Sequence, residues 1–270
     1  MNNKIYLFAV LLVFLLSCSL KKQDGLSYLS GDGKWVDLTH DFSNETIYWP
    51  TSDPFKLETV FRGITEKGFF FEANKYSASE HGGTHIDSPV HFAEGKITVD
   101  KIPIESLVGQ AVVIDVSGKA IADPDYQVGV HDILDWESAN SEIPSGSILL
   151  IHTGYGKYWP DKVKYMGTDK PGPQGVRELH FPGLHPEASL WLVQNRKISA
   201  VGLDTPSIDY GQSEFFKSHQ TLFEHNIPAF ENVANLDLLP SRGAFVIALP
   251  MKIKGGSGAP LRIVAFIPNN

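Results

Sequence analysis

The stretch His81-Gly82-Gly83-Thr84-His85-Ile86-Asp87-Ser88-Pro89-Val90-His91-Phe92 decides how the rest of the chain is read. Three of the ten histidines and one aspartate fall within eleven residues, interleaved with glycine and closed by a proline. Imidazole and carboxylate together form the ligand set of Zn²⁺ and neighbouring divalent transition metals. Positions 81, 85, 87 and 91 are all odd, so in an extended segment their side chains project to one face. Gly82-Gly83 argues against a helix and separates the stretch from the helical His-Glu-x-x-His of metalloproteases, which occurs nowhere in the sequence. Glycine also lets backbone come close to an ion or substrate without a Cβ in the way. A single loop histidine is ordinarily a hydrogen-bonded structural residue. Four polar groups on one face are costly to bury without a common partner, and the stretch reads as a metal site.

Working outward, 270 residues suffice for one large domain or two small ones with a sizeable core. Composition is globular, 42% hydrophobic and 20% charged, and the net charge of −8 excludes a general nucleic-acid binder. Met1 to Lys4 is short and weakly positive, and Ile5 to Leu16 is an apolar run too short to span a bilayer comfortably. It ends in Leu15-Leu16-Ser17-Cys18, which resembles the lipobox of bacterial lipoproteins. Cys18 is the only cysteine, so no intramolecular disulfide is possible. The expectation is a signal peptide over residues 1–17, lipidation at Cys18, a tether over 18–33 and a single domain over 34–270. The protein would then be exported and held to a bacterial membrane by lipid alone.

Strands are expected at Lys34 to His40, Leu57 to Phe61 and Phe69 to Tyr76, the last leading into the histidine stretch. Between the first two lies Tyr48-Trp49-Pro50-Thr51-Ser52-Asp53-Pro54-Phe55, a proline-punctuated loop carrying aromatics. Ala111 to Val116, Ser147 to His152 and Ile198 to Leu203 are continuous apolar runs suited to buried strands. Val130 to Asn140 and His185 to Arg196 read as helices, with Ala188, Trp191 and Leu192 on one face of the second. Residues 155–183 carry little periodicity, as binding loops and lids often do, and Tyr158, Trp159 and His180 are candidates to line a site. Ser213 is a candidate N-cap for a helix with Phe215, His219 and Leu222 on one face. Ala244 to Leu249 and Leu261 to Ile267 complete the strands.

His-x-Gly-Thr-His-x-Asp-x-Pro-x-His resembles the signature of the cyclase family of metal-dependent hydrolases, which contains bacterial kynurenine formamidase and isatin hydrolase. The likeness recurs at Gly202-Leu203-Asp204-Thr205-Pro206-Ser207-Ile208-Asp209 and at His219 with Glu231 twelve residues on, and covers about residues 34–267. Strands alternating with helices suggest α/β, yet the β-rich N-terminal part does not fit a doubly wound sheet. The resemblance implies a swivelling β/β/α domain with mixed sheets and flanking helices. It implies that His81, His85 and Asp87 hold one metal, and that Asp87, His219 and Glu231 hold a second. Zn²⁺ and Mn²⁺ both suit such ligands. His91 would be the general acid/base rather than a ligand, although ligation by His91 stays open. Trp49 would lie against an aromatic substrate, and His225 falls off the pattern as a surface residue.

The activity so implied is hydrolysis of an amide C–N bond, with a small-molecule amide as substrate. N-formylkynurenine stands first, because Glu231 follows the formamidase pattern where isatin hydrolase has a glutamine. A lactam or ester hydrolase and a ring-closing cyclase are alternatives within the family. A non-catalytic metal- or ligand-binding lipoprotein is the alternative of another class, though a storage site needs no spare base such as His91. The resemblance also suggests a homodimer.

Overall fold

Val112 to Ile114, Leu149 to Ile151 and Val201 to Leu203 have no polar side chain to offer to water, so strands built from them need cover on both faces. A computed structural model of the chain describes residues 31–269 and shows how that cover is provided. Cys18, the proposed signal peptide and most of the tether lie outside the described residues. The strands are β1 Gly33–Asp37, β2 Lys56–Ile64, β3 Phe70–Ser77, β4 His85–Asp87, β5 Val108–Asp115, β6 Gln127–Val128, β7 Ile148–His152, β8 Gly183–Leu184, β9 Ala200–Leu203, β10 Ala229–Glu231, β11 Arg242–Pro250 and β12 Gly258–Pro268. The helices are α1 Ser117–Ala122, α2 Val130–Asn140, α3 Lys162–Met166, α4 Gly172–Val176, α5 Pro186–Asn195 and α6 Lys217–Glu224.

The main sheet runs β1-β12-β11-β5-β7-β9-β10-β4, and β4 pairs again with the start of β12. Seven strands therefore close on themselves into a barrel-like sheet, with β1 added outside the closure. β5, β7, β9 and β10 are mutually parallel, and the remaining pairs are antiparallel. Period-two alternation then sorts the apolar runs. Val113 and Leu150 join Ile86, Phe230, Val246 and Ile263 in one core. Their neighbours Val112, Ile114, Leu149 and Ile151 face a second core with Ile133 and Trp136 of α2, Leu192 of α5 and Leu222 of α6. This is the mixed α/β architecture with flanking helices that the sequence led us to expect.

Three local expectations change. The first strand stops at Asp37, because Thr39 turns its hydroxyl to the Ile263 carbonyl, 3.0 Å away. Ser213 does not cap α6. Its hydroxyl accepts from the Phe216 amide (3.1 Å), and Phe216, at φ 47°, is the residue that opens the helix. Phe215 thus precedes the helix and is exposed, while His219 and Leu222 are buried as expected. Residues 155–183 are not an open loop. They fold into a 3₁₀ turn, α3 and α4, and bury Tyr155, Tyr165, Met166, Leu179 and Phe181 in a third core.

The β2–β3 hairpin forms where expected, although β2 runs on to Ile64, three residues past Phe61, and almost every residue of it is exposed. It bonds to itself rather than to the barrel sheet.

What positions the site is the seam. β4 has only three residues, and both its edges are used: Glu231 lies opposite His85 on one side, and Pro260 and Gly258 lie opposite His85 and Asp87 on the other. Phe230 fills the interior beside it, fully buried. Truncation by Phe230→Ala is expected to cost about 3–5 kcal/mol of stability, read from the urea unfolding midpoint.

Candidate metal centre

Alternation along β4 sends Ile86 into the core and leaves His85 and Asp87 together on the other face. The four odd-numbered residues do converge, but not along one extended face. Only residues 85–87 are strand; Pro89–His91 is a 3₁₀ turn that folds His91 back over His81, with ring centroids 3.7 Å apart. The paired glycines serve packing on aromatic rings. A Cβ on Gly82 would stand 2.1 Å from the Tyr48 ring, and one on Gly83, at φ +59°, would stand 2.7 Å from the Phe42 ring.

Helix α6 and β10 bring the other half. His219 and Glu231, both buried, lie 3.2 Å apart at Nε2 and Oε1. Asp209 sets the histidine's direction: its carboxylate accepts from the amides of Ser218 and His219 and lies 2.5 Å from His219 Nδ1. That leaves His219 Nε2 facing the cluster, 3.4 Å from Asp87 Oδ2. Asp209 lay in the recurring Asp-Thr-Pro-Ser segment, but sequence carried no sign of its partner.

Asp87 sits between both halves. Its Oδ1 is 2.6 Å from His81 Nδ1 and 3.2 Å from His85 Nε2. His85 Nε2 is also 3.4 Å from Glu231 Oε2. His81, His85 and Asp87 form one group able to hold a metal ion, and Asp87, His219 and Glu231 form another. The donor set fits a divalent ion on a specific ground. His85 Nε2 is buried and makes no hydrogen bond to any neighbour, although carboxylate oxygens stand close by. Ligands around a tetrahedral centre with bonds of ~2.1 Å sit ~3.4 Å apart, close to the 3.2–3.4 Å that separate His85 and His219 from Asp87 and Glu231, whereas His81 bonds Asp87 directly at 2.6 Å. His81 is more tightly engaged, with Nε2 2.8 Å from Ser257 Oγ, itself 2.8 Å from Glu80 Oε2. Neither Ser257 nor Glu80 was legible as a site residue.

The charges show what the cluster lacks. Burial would lower the His85 pKa, but the Asp87 carboxylate close to Nε2 and the charge of Glu231 raise it. Burial works the same way on His219, and Asp209, Asp87 and Glu231 lift it well above the usual imidazole range. Asp87, despite burial, is held well below the usual carboxylate range by His81, His219 and His85, whereas burial and the Asp87 charge push Glu231 up. Protons thus balance the buried carboxylates, a role a dication takes over by displacing them.

Above the cluster lies a cavity of about 260 Å³ whose apolar wall includes Ile47, Trp49, Phe92, Pro206 and Phe216. Trp49 is in the wall, edge-on to Phe181 and Phe216 at 6.3 Å. His91 lies at its floor, Nε2 3.9 Å from Asp87 Oδ2, with 30% of its side chain still exposed. Flanked by His81 and Phe92, its ring loses hydration, and its pKa is pushed down to about 4 by burial, with Asp87 opposing. Tyr158, Trp159 and His180 do not line this cavity. Trp159 stacks on His40, and His180 pairs with Asp125 at the surface. His225 is exposed, as expected. Phe92 and Phe216 were missed as wall residues because nothing in their spacing marks them.

A barrel-like mixed sheet with a His/Asp/Glu cluster at its seam is the frame of a known class. The family model described as "Putative cyclase" matches residues 36–210, and the chain belongs to that family. Its relatives include the isatin hydrolase of Roseibium aggregatum, 32% identical over 90% of this chain and 95% of that protein. A kynurenine formamidase of Bacillus cereus is 28% identical, over 86% of this chain and 96% of that protein. Among solved structures, an isatin hydrolase bound to the product analogue thioisatinate superposes with a TM-score of 0.80 at 30% identity, covering 91% of this chain and 96% of that one. These relatives are hydrolases.

Because His85 and His219 have raised pKa values, they must shed protons to ligate, and acid competes with the ion. Affinity for Zn²⁺, measured by chelator competition between pH 8 and pH 5, is expected to fall steadily with acidification. A flat profile would contradict the assignment of these histidines.

Proposed function

We propose that the protein is a metal-dependent hydrolase of the C–N bond in a small aromatic amide, with His91 as general acid/base. The observation that carries this reading is the position of His91. It adjoins Asp87 yet belongs to neither candidate ligand group, and it opens into an aromatic-walled cavity. A site that only stored metal would have no use for such a base.

His81, His85 and Asp87 would hold one divalent ion, and Asp87, His219 and Glu231 a second, with Zn²⁺ or Mn²⁺ the fitting ions. Such an ion supplies a Lewis acid for the carbonyl and lowers the pKa of water to about 7. His91 is neutral over the physiological range, since its pKa lies near 4, so Nε2 is free to accept a proton from the attacking water. The same nitrogen then delivers that proton to the departing amide nitrogen, giving an amine and a carboxylate. Trp49, Phe92 and Phe216 offer edges and faces to an aryl ring and exclude water from the reacting bond.

N-formylkynurenine is the leading substrate on the strength of Glu231. A lactam of the isatin type is the second reading, supported by the 32% identity to isatin hydrolase across nearly the whole chain.

The protein is further proposed to act as a homodimer, exported and anchored through lipid on Cys18. The β2–β3 hairpin supports the dimer, because Leu57, Val60, Ile64 and Phe70 are each more than half exposed. An arm so apolar on a charged protein needs cover, and a stable dimer buries ~800 Å² per partner. Among the described residues no helix is long and apolar enough to cross a membrane.

The test is hydrolysis of N-formylkynurenine, isatin and simple aryl esters by the metal-loaded protein and by two variants. His91→Ala is expected to retain its metal and lose ~10²–10⁴-fold in kcat. Trp49→Ala is expected to raise KM for aryl substrates several-fold with a smaller effect on kcat. Metal binding without cleavage of any amide, lactam or ester would leave a metal-binding lipoprotein as the better description.

A further inference from the structure

The segment 155–183 contributes no lining residue to the cavity, yet one of its side chains bonds a residue adjacent to the ligand cluster. Tyr165 in α3 is fully buried, and its hydroxyl lies 2.9 Å from Asn232 Oδ1 and 3.2 Å from the Asp204 carbonyl. A hydroxyl has a single proton to give, and the shorter contact takes it to Asn232. The amide of Asn232, thus oriented, donates from Nδ2 to the Gly83 carbonyl at 2.7 Å. That same carbonyl is 2.9 Å from His85 Nδ1. A carbonyl only accepts, so His85 keeps a proton on Nδ1, and Nε2 is the nitrogen that can give up its proton to ligate an ion. Nε2 is the buried nitrogen that has no hydrogen-bond partner of its own.

Each link is held by backbone that has little freedom to move. Gly83 adopts φ +59° against the Phe42 ring, which fixes where its carbonyl points. Asn232 follows Glu231 directly and adopts φ 53°, with its amide bonded to the Thr205 carbonyl and its own carbonyl receiving the Thr84 hydroxyl. Asn232 therefore sits between one candidate ligand in the chain and another in space. Its oxygen accepts from Tyr165 and its nitrogen donates to Gly83, with His85 Nδ1 also 3.5 Å from that nitrogen, and a flipped amide would set two oxygens against each other at Gly83.

We propose that Tyr165 is a positioning residue for the metal site, acting through Asn232 and the Gly83 carbonyl to hold His85 in its ligating tautomer and orientation. The proposal rests on reading the cluster as a metal site and deepens it: the irregular segment is the outer support of the ligand His85. Burial, with the charges of Asp204 and Glu231, pushes the Tyr165 hydroxyl well above the usual phenol range, so it stays protonated and serves as a donor.

The experiment measures Zn²⁺ affinity of the metal-free full chain by chelator competition, alongside the thermal midpoint of the metal-free form. Tyr165→Phe removes only the hydroxyl and is expected to weaken binding about 10- to 100-fold, the usual effect of losing an outer partner of a ligand. Tyr155→Phe, in the same buried cluster but without a bond to Asn232, is expected to bind as the parent does. Asn232→Ala is expected to weaken binding at least as much as Tyr165→Phe, and the double variant no more than Asn232→Ala alone. If Tyr165→Phe does not fold, Asn232→Ala tests the chain from its other end, with Tyr165 still able to bond the Asp204 carbonyl. Unchanged affinity in Tyr165→Phe and Asn232→Ala, equal loss in Tyr155→Phe, or additive losses in the double variant would each overturn the proposal. A parent chain that binds no divalent ion would overturn the metal reading along with it. Because affinity is the readout, the identity of the substrate does not enter the result.

Discussion

Asp87 is a carboxylate almost without contact with water, and the site is built around keeping its charge balanced. Its two oxygens face His81, His85 and His219, which arrive from a loop, a three-residue strand and a helix. An isolated buried carboxylate would be neutralised or expelled, so these partners must be delivered with the right nitrogen forward. That requirement explains features otherwise hard to motivate: Asp209 on His219, the Gly83 carbonyl on His85, and Glu80 with Ser257 behind His81. The barrel supplies the rigidity. β4 has bonding partners on both edges, so neither His85 nor Asp87 is free to slide in register.

Much of this was legible in the sequence, for identifiable reasons. The apolar runs of β5, β7 and β9 have one physical solution, burial on both faces, and the structure adopts it. The His-Gly-Gly-Thr-His-Ile-Asp stretch was recognisable because metal ligands, unlike packing residues, have few chemical substitutes. His219 and Glu231 were reachable only through family spacing, since a lone buried histidine on a helix is otherwise unremarkable.

What was not legible depends on the third dimension. Positions 81 to 91 were read as one extended face, whereas Pro89 turns the chain and brings His91 onto His81. Pro, with its fixed φ and missing donor, was visible as punctuation but not as a fold-back. Residues 155–183 lack periodicity because their helices span only five residues each, too short for a pattern to repeat. Their apolar residues nonetheless pack together, which only contacts reveal. Phe92 and Phe216 were invisible as wall residues for the same reason: an aromatic beside a cavity looks in sequence like any core aromatic.

The seam at β4 also sets an order of events. Residues 85–87 meet no strand partner near them in the chain; both their neighbours, 229–231 and 258–260, lie in the last fifth of the sequence. Closure is therefore a long-range step, delayed by the entropy of bringing distant segments together. The emerging polypeptide holds a histidine-rich segment long before it owns Glu231 or Ser257. Ion capture by the complete cluster has to wait until residues 229–231 and 258–260 have been made and have docked on both edges of β4.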